Sequence, residues 1–144
     1  MITGVTCADE DVLEIPAMID GRSVVGIGDN VFKGCTNMKS ITIPDCVTYI
    51  GAQAFYGCSG LTSITIPDSV TSIGDYAFYD CSGLTSVAIP ESVASIGDYA
   101  FCGCSGLTSV TIPDSVTSIG AEALYGCTGL ADSNGFVIVR GELH

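Results

Sequence analysis

The sequence predicts a parallel-β solenoid forming one domain, coiled from turns 23 residues long. Three observations predict it. Residues 58–80 return almost unchanged as 81–103 and again as 104–126, so Cys58, Cys81 and Cys104 stand 23 positions apart. A fixed period of roughly 20 to 50 residues marks a solenoid, propeller or array. Within each unit the apolar pattern alternates and then breaks, as in a short strand followed by a corner. Every proline of the chain (Pro16, Pro44, Pro67, Pro90, Pro113) holds one register, which argues for a corner in each turn.

The unit of residues 58–80 justifies its elements one by one. Ile64 and Ile66 point one way, Ser63 and Thr65 the other, the period of a strand with one buried face. Pro67 removes a backbone donor and ends it, and Asp68-Ser69 is turn chemistry. Residues 70–73 suit a small second strand. Gly74-Asp75 supplies a break and an N-cap candidate, and residues 76–79 are expected to form one turn of helix at most. One such unit cannot bury its apolar face alone, but stacked neighbours can. Equivalent residues then form ladders: Phe32, Phe55, Phe78 and Phe101, with Leu124 in the last place.

The motif L-x-x-I-x-I-P-x-x-V-x-x-I-G-x-x-A-F-x-x-C, running from Leu61 to Cys81 and repeated over about residues 7–130, resembles the BspA-like subclass of leucine-rich repeats. The resemblance implies a leucine-rich-repeat solenoid, a right-handed β/α superhelix with a horseshoe-like arc. It implies a parallel β-sheet on the concave side, with short second strands and one-turn helical segments on the other. The general consensus asparagine or cysteine position falls on Cys46, Ser69, Ser92 and Ser115. No asparagine ladder exists, so that turn must be stabilised otherwise.

Along the chain, residues 1–6 are a lead-in and 7–34 a degenerate first repeat with capping character. Residues 17–21 are five extra residues in its turn, and Glu10 and Glu14 replace Leu61- and Thr65-type residues. A charged first turn suits an end with no neighbour on one side and discourages strand addition there. Regular repeats follow at 35–57, 58–80, 81–103 and 104–126, and 127–144 is a partial repeat with a terminal cap or hairpin. In that segment Asn134-Gly135 reads as a turn, 136–139 as a strand, and Arg140-Gly141 as a turn into 142–144. The same segment also resembles the start of a further array. No basic and apolar leader opens the chain, and Met1 lies almost inside a repeat, the pattern of a fragment cut from its targeting signals.

Six of the eight cysteines, Cys7, Cys35, Cys58, Cys81, Cys104 and Cys127, share one register. Neighbouring Cα atoms would lie near disulfide distance, yet parallel side chains favour a column of small buried thiols. Cys46 and Cys102 fall on serine- and tyrosine-type positions and read as drift. Cys102-x-Cys104 lacks the partners of a zinc site.

The formal charge is −12, and no Lys or Arg stands between Ser40 and Val139. Nucleic-acid binding is thereby excluded, and anionic membrane surfaces are disfavoured. No run of 18 apolar residues spans a membrane. Asp45, Asp68, Glu91 and Asp114 follow the prolines, and Asp75 and Asp98 follow the glycines. They read as turn formers, caps and solubilising charge, against a calcium column that would need a ligand spacing absent here.

Two exposed ladders remain as candidate binding surfaces. One runs along the main strand: Ser40, Thr42, Ser63, Thr65, Ser86, Ala88, Ser109 and Thr111. The other is a tyrosine column, Tyr56, Tyr79 and Tyr125, with Tyr76 and Tyr99 beside it. Either suits contact with a protein or glycan; equally, the first fits β-propensity on a wet face and the second packing between turns. The single histidine is His144, and no nucleophile, phosphate loop or metal motif is legible, so no enzyme, cofactor or metal site is expected. The resemblance implies an extracellular or cell-surface protein that binds host extracellular-matrix proteins such as fibronectin and fibrinogen. A stalk with no ligand of its own is the alternative, and an ice- or polysaccharide-binding Ser-x-Thr ladder, interrupted by Ala88, a minor one.

Overall fold

In a computed structural model that describes residues 12–130 and the backbone of 140–141, the chain coils into stacked turns bounded by two parallel sheets. The main sheet stacks Val12–Glu14, Ser40–Thr42, Ser63–Thr65, Ser86–Ala88, Ser109–Ile112 and Arg140–Gly141 in chain order. Its register is the sequence period made physical: Ser40 pairs with Ser63, and Ser63 with Ser86, each 23 positions on. A second sheet stacks Tyr49–Ile50, Ser72–Ile73, Ser95–Ile96 and Ser118–Ile119. Each chain segment between them turns at the proline corner, where the carbonyls of Pro44, Pro67, Pro90 and Pro113 accept the amides of Val47, Val70, Val93 and Val116.

The interior is made of ladders, one side chain per turn. The rings of Phe32, Phe55, Phe78 and Phe101 stack at 5.2, 5.1 and 5.1 Å, tilted by 12°, 4° and 4°. Leu61, Leu84 and Leu107 are wholly buried beside them, and Ile41, Ile64, Val87 and Val110 turn in from the main strands. Close stacking leaves no room at some positions. A Cβ on Gly83 would lie 2.5 Å from the carbonyl oxygen of Ser59, so only glycine lets successive turns approach there.

The expected one-turn helices are not formed. Residues 75–80 are a run of turns, because alternate amides point in different directions. Tyr76, Phe78 and Asp80 donate to the carbonyls of Asp98, Ala100 and Cys102 in the next repeat at 2.7 to 2.8 Å. Ala77, Tyr79 and Cys81 donate back along their own turn to Gly74, Tyr76 and Phe78 at 3.2 to 3.3 Å. A helix keeps every amide within its own segment, and this outer wall uses half of them to hold the next coil. Tyr76 and Asp80 take φ of 59° and 58° to do so, outside helical geometry. The helical element among the described residues is a 3-10 turn, Thr128–Leu130.

The ends depart from the period. The five extra residues of the first repeat form the tip of an antiparallel hairpin, Met18–Ile19 with Arg22–Ser23. Asp20 and Gly21 sit at its turn with φ of 53° and 78°, the pairing that a two-residue hairpin demands. At the other end Arg140–Gly141 is a strand paired in parallel with Thr111 and Ile112, which corrects the expected turn and terminal hairpin at that dipeptide. The expected strand at 136–139 and the turn at Asn134-Gly135 lie outside the described residues.

Candidate functional site

The main strands place one side chain in two outside. Thr42, Ser63, Thr65, Ser86, Ala88 and Thr111 are exposed, and Ser40 and Ser109 half-buried. Parallel register sets Ser40, Ser63, Ser86 and Ser109 in one row across four strands, and pairs Thr42 with Thr65 and Ala88 with Thr111 in a second. Among the described residues none of these hydroxyls has a hydrogen-bond partner, unlike the corner hydroxyls. A hollow borders the rows at Thr111, lined also by Ile89, Glu91, Pro113 and Asp114.

The corner hydroxyls behave differently. Ser69, Ser92 and Ser115 donate to the carbonyls of Val47, Val70 and Val93 one repeat below, and the Cys46 thiol donates to Val24. This set is the substitute for the missing asparagine ladder. Cys46 therefore takes the serine's part in the corner. Thr48, Thr71 and Thr117 donate to Val25, Thr48 and Ala94, and Thr62, Thr85 and Thr108 to Lys39, Thr62 and Thr85. Asp29, Asp75 and Asp98 cap the following turn, their Oδ1 atoms accepting the amides of Ala52, Asp98 and Ala121. The acidic ladder after the glycines is thus structural. Among the described residues no group of three or more His, Cys, Asp or Glu is placed to hold a metal ion.

The tyrosines lie on the outer wall. Tyr56 and Tyr79 stack at 4.8 Å and Tyr76 and Tyr99 at 5.0 Å, and Tyr76 leans on both Tyr56 and Tyr79. These four are half-buried against one another, whereas Tyr125 stands apart and 66% exposed. The packing reading therefore fits the first four and not the last. One participant was missed in the sequence: the Lys33 ammonium sits 5.0 Å over the Tyr56 ring. It stands 23 positions before Tyr56, so extending the tyrosine register one repeat back finds it.

The cysteine column is mixed. Cys35 is disulfide-bonded, its partner outside the described residues, which corrects the expectation of an all-thiol column. Cys58, Cys81, Cys104 and Cys127 are buried free thiols, and their S–H groups donate to the carbonyls of Phe32, Phe55, Phe78 and Phe101 at 3.0 to 3.1 Å. Burial pushes the Cys58 thiol up to about 11 and Cys81 further. Contact with the Cys127 sulfur, then burial, raises Cys104. Cys58, Cys81 and Cys104 therefore stay protonated and are poor nucleophiles, whereas the contact with Cys104 holds the Cys127 thiol below its ordinary value.

No helix among the described residues is long and apolar enough to cross a membrane. No curated protein matches the chain. Solved structures do. A leucine-rich repeat protein of T. pallidum is 34% identical, with a TM-score of 0.86, over 89% of this chain and 60% of that one. One from Bacteroides ovatus is 42% identical, with a TM-score of 0.77, over 82% of this chain and 32% of that one. A leucine-rich cell surface protein of Faecalibacterium prausnitzii is 32% identical, with a TM-score of 0.54, over 88% of this chain and 48% of that one. The chain thus spans between about a third and three fifths of the length of these relatives. The family model for the BspA-type leucine-rich repeat region matches six copies over residues 23–135. With its 23-residue register, proline corners and stacked phenylalanines accounted for, the chain belongs to the BspA-type leucine-rich repeat family.

Proposed function

We propose that this protein is a non-enzymatic binding module of a cell-surface protein, and that the outer rows of the main sheet are its ligand face. One observation carries the choice of face: its Ser and Thr hydroxyls are exposed or half-buried and have no partner among the described residues, while the chemically identical corner hydroxyls are occupied holding repeats together. A regularly spaced array of small hydroxyls, free of charge, suits a broad protein surface or a glycan. Solenoids commonly bind through extended faces of this kind. The cell-surface description of the F. prausnitzii relative supports the location. Host extracellular-matrix proteins are the partners to try first.

The test is equilibrium binding of the purified chain to fibronectin, fibrinogen and a glycan panel at two salt concentrations. Saturable binding that Thr65→Lys and Thr111→Lys remove, with folding unchanged, supports this face. Binding that survives both substitutions moves the site elsewhere. Silence across the panel favours the second reading, a spacer. That reading draws on the central repeats, whose corner hydroxyls and buried thiols hold the preceding coil.

A further inference from the structure

The two sheets end differently at the C-terminal side of the coil. The main sheet is continued past Ser109–Ile112 by Arg140–Gly141, whereas the second sheet stops at Ser118–Ile119. That edge is exposed. Ile27, Ile50, Ile73 and Ile96 hold the same register and are at most 3% exposed, yet Ile119 is 43% exposed. Ile119 also lines an apolar hollow with Ile96, Phe101 and Leu124, in the repeat where leucine replaces the stacked phenylalanine.

The ladder itself directs the backbone of Ile119 outward. Gly51, Gly74, Gly97 and Gly120 donate to the carbonyls of Ile27, Ile50, Ile73 and Ile96 at 2.8 to 2.9 Å, and the Ile27 amide donates to Tyr49. In each repeat, therefore, the isoleucine turns both its amide and its carbonyl to the following repeat. Ile119 is the last of the series, and among the described residues no strand pairs with that side. A residue presenting both groups to one side is what an antiparallel pair exchanges. Two such edges, related by a two-fold axis at Ile119, trade amide for carbonyl twice and lay each Ile119 side chain beside its mate. The edge also lacks what usually blocks such pairing. Residues 117–120, Thr-Ser-Ile-Gly, carry no charge and no proline, although the chain as a whole has a formal charge of −12. The opposite end of the second sheet offers no matching seat, because Ile27 is wholly buried there.

We infer that the Ser118–Ile119 edge is the contact of a two-fold dimer, its occupant the same edge of a second copy of this chain, paired antiparallel about Ile119. The edge belongs to the second sheet and leaves the Ser and Thr rows of the main sheet open. The contact does not rest on the ligand reading of those rows.

The experiment is sedimentation equilibrium of the purified chain up to about 1 mM, the range in which a contact this small is populated. A monomer–dimer equilibrium is expected, with nothing larger, because a two-fold contact closes on itself. Amide hydrogen exchange by NMR, run at low and high concentration, is expected to show Ile119 gaining protection on dimerisation while Glu122, Leu124 and Gly126 do not. Those three amides succeed Tyr99, Phe101 and Gly103, which donate to the next repeat, so a further turn laid on in parallel would protect them as well. Ile119→Lys sets two like charges opposite each other and is expected to weaken the dimer at least about tenfold. Ser118→Lys, at an exposed position on the same edge, serves if the first variant misfolds. Thr36→Lys makes the same charge change at an exposed position in an early repeat and should leave the dimer intact. A monomer at every concentration overturns the proposal. So do a mass that keeps rising past the dimer, a dimer that survives both edge variants, and protection that spreads to Glu122, Leu124 and Gly126.

Discussion

The corner serines and the sheet-face serines are the same residue type at the same period, and the coil treats them oppositely. Ser92 donates to the Val70 carbonyl at 2.6 Å and is half-buried, whereas Ser86, six positions earlier, is exposed and has no side-chain partner among the described residues. The difference lies in what faces each one. At the corner the chain bends and turns a carbonyl of the repeat below away from the strand ladder, and a side chain must satisfy it. On the sheet the ladder pairs every backbone group internally, so an outward side chain has nothing to hold. Periodicity alone therefore does not separate the residues that bind the repeats together from those that face a partner. The neighbouring carbonyl does.

The interior is where this comparison breaks most severely. Phe78→Ala removes a ring stacked on both sides at 5.1 Å and wholly buried. It is expected to cost about 3–5 kcal/mol, read as a lower midpoint in urea denaturation, because neighbouring rings one repeat away cannot collapse into the space. No sheet-face substitution approaches that loss. A value below about 1 kcal/mol would mean that repeats unfold one by one near this position, contrary to a shared core.

The thiol column gives the next largest effect, and its sign is fixed by titration. Cys58 is raised from 9.0 to about 11 by burial. Below pH 9 the thiol is protonated whether the chain is folded or not, and its contribution to stability is complete. Above 9 the unfolded thiol ionises while the folded one does not, so stability falls as pH rises through 11. Two pKa units correspond to about 2.7 kcal/mol for full loss. Urea midpoints measured from pH 8 to 11 should therefore fall less steeply for Cys58→Ala than for the parent. Parallel curves would place Cys58 in water rather than in the core.

Much of this was legible in the sequence, for identifiable reasons. The register, the two strands and the proline corner follow from alternation and from one proline per turn, because these patterns report local burial and donor loss. The one-turn helix was not legible. Residues 76–79 have no feature that says whether their amides bond within the turn or across to the next, and the stack decides that. The hairpin at Asp20-Gly21 was not read from the sequence, which showed only five extra residues there, because the strands on either side are two residues each, too short to show a period. Six of the eight residues of the candidate rows are exposed and Ser40 and Ser109 are half-buried, and which hydroxyls bond internally depends on carbonyl positions that no side-chain pattern encodes. The break at Cys102 was visible as a departure from tyrosine.

The smallest effect tests the opening contrast directly. Ser92→Ala and Ser86→Ala delete the same atom from positions six residues apart in one repeat. At Ser92 a carbonyl loses its donor in a half-buried corner, and about 1 kcal/mol of stability should go with it. At Ser86 no bond is lost and the change should lie within about 0.5 kcal/mol of zero. The binding readout should invert the order. Ser86 lies in the row between Ser63 and Ser109, so its loss should weaken a ligand held on that face, while the Ser92 variant binds normally when folded. If both variants lose equal stability, the face hydroxyls have structural work and the proposed ligand surface fails. If neither does, the corner bonds contribute nothing net, and the asparagine-like role of these serines is geometric only.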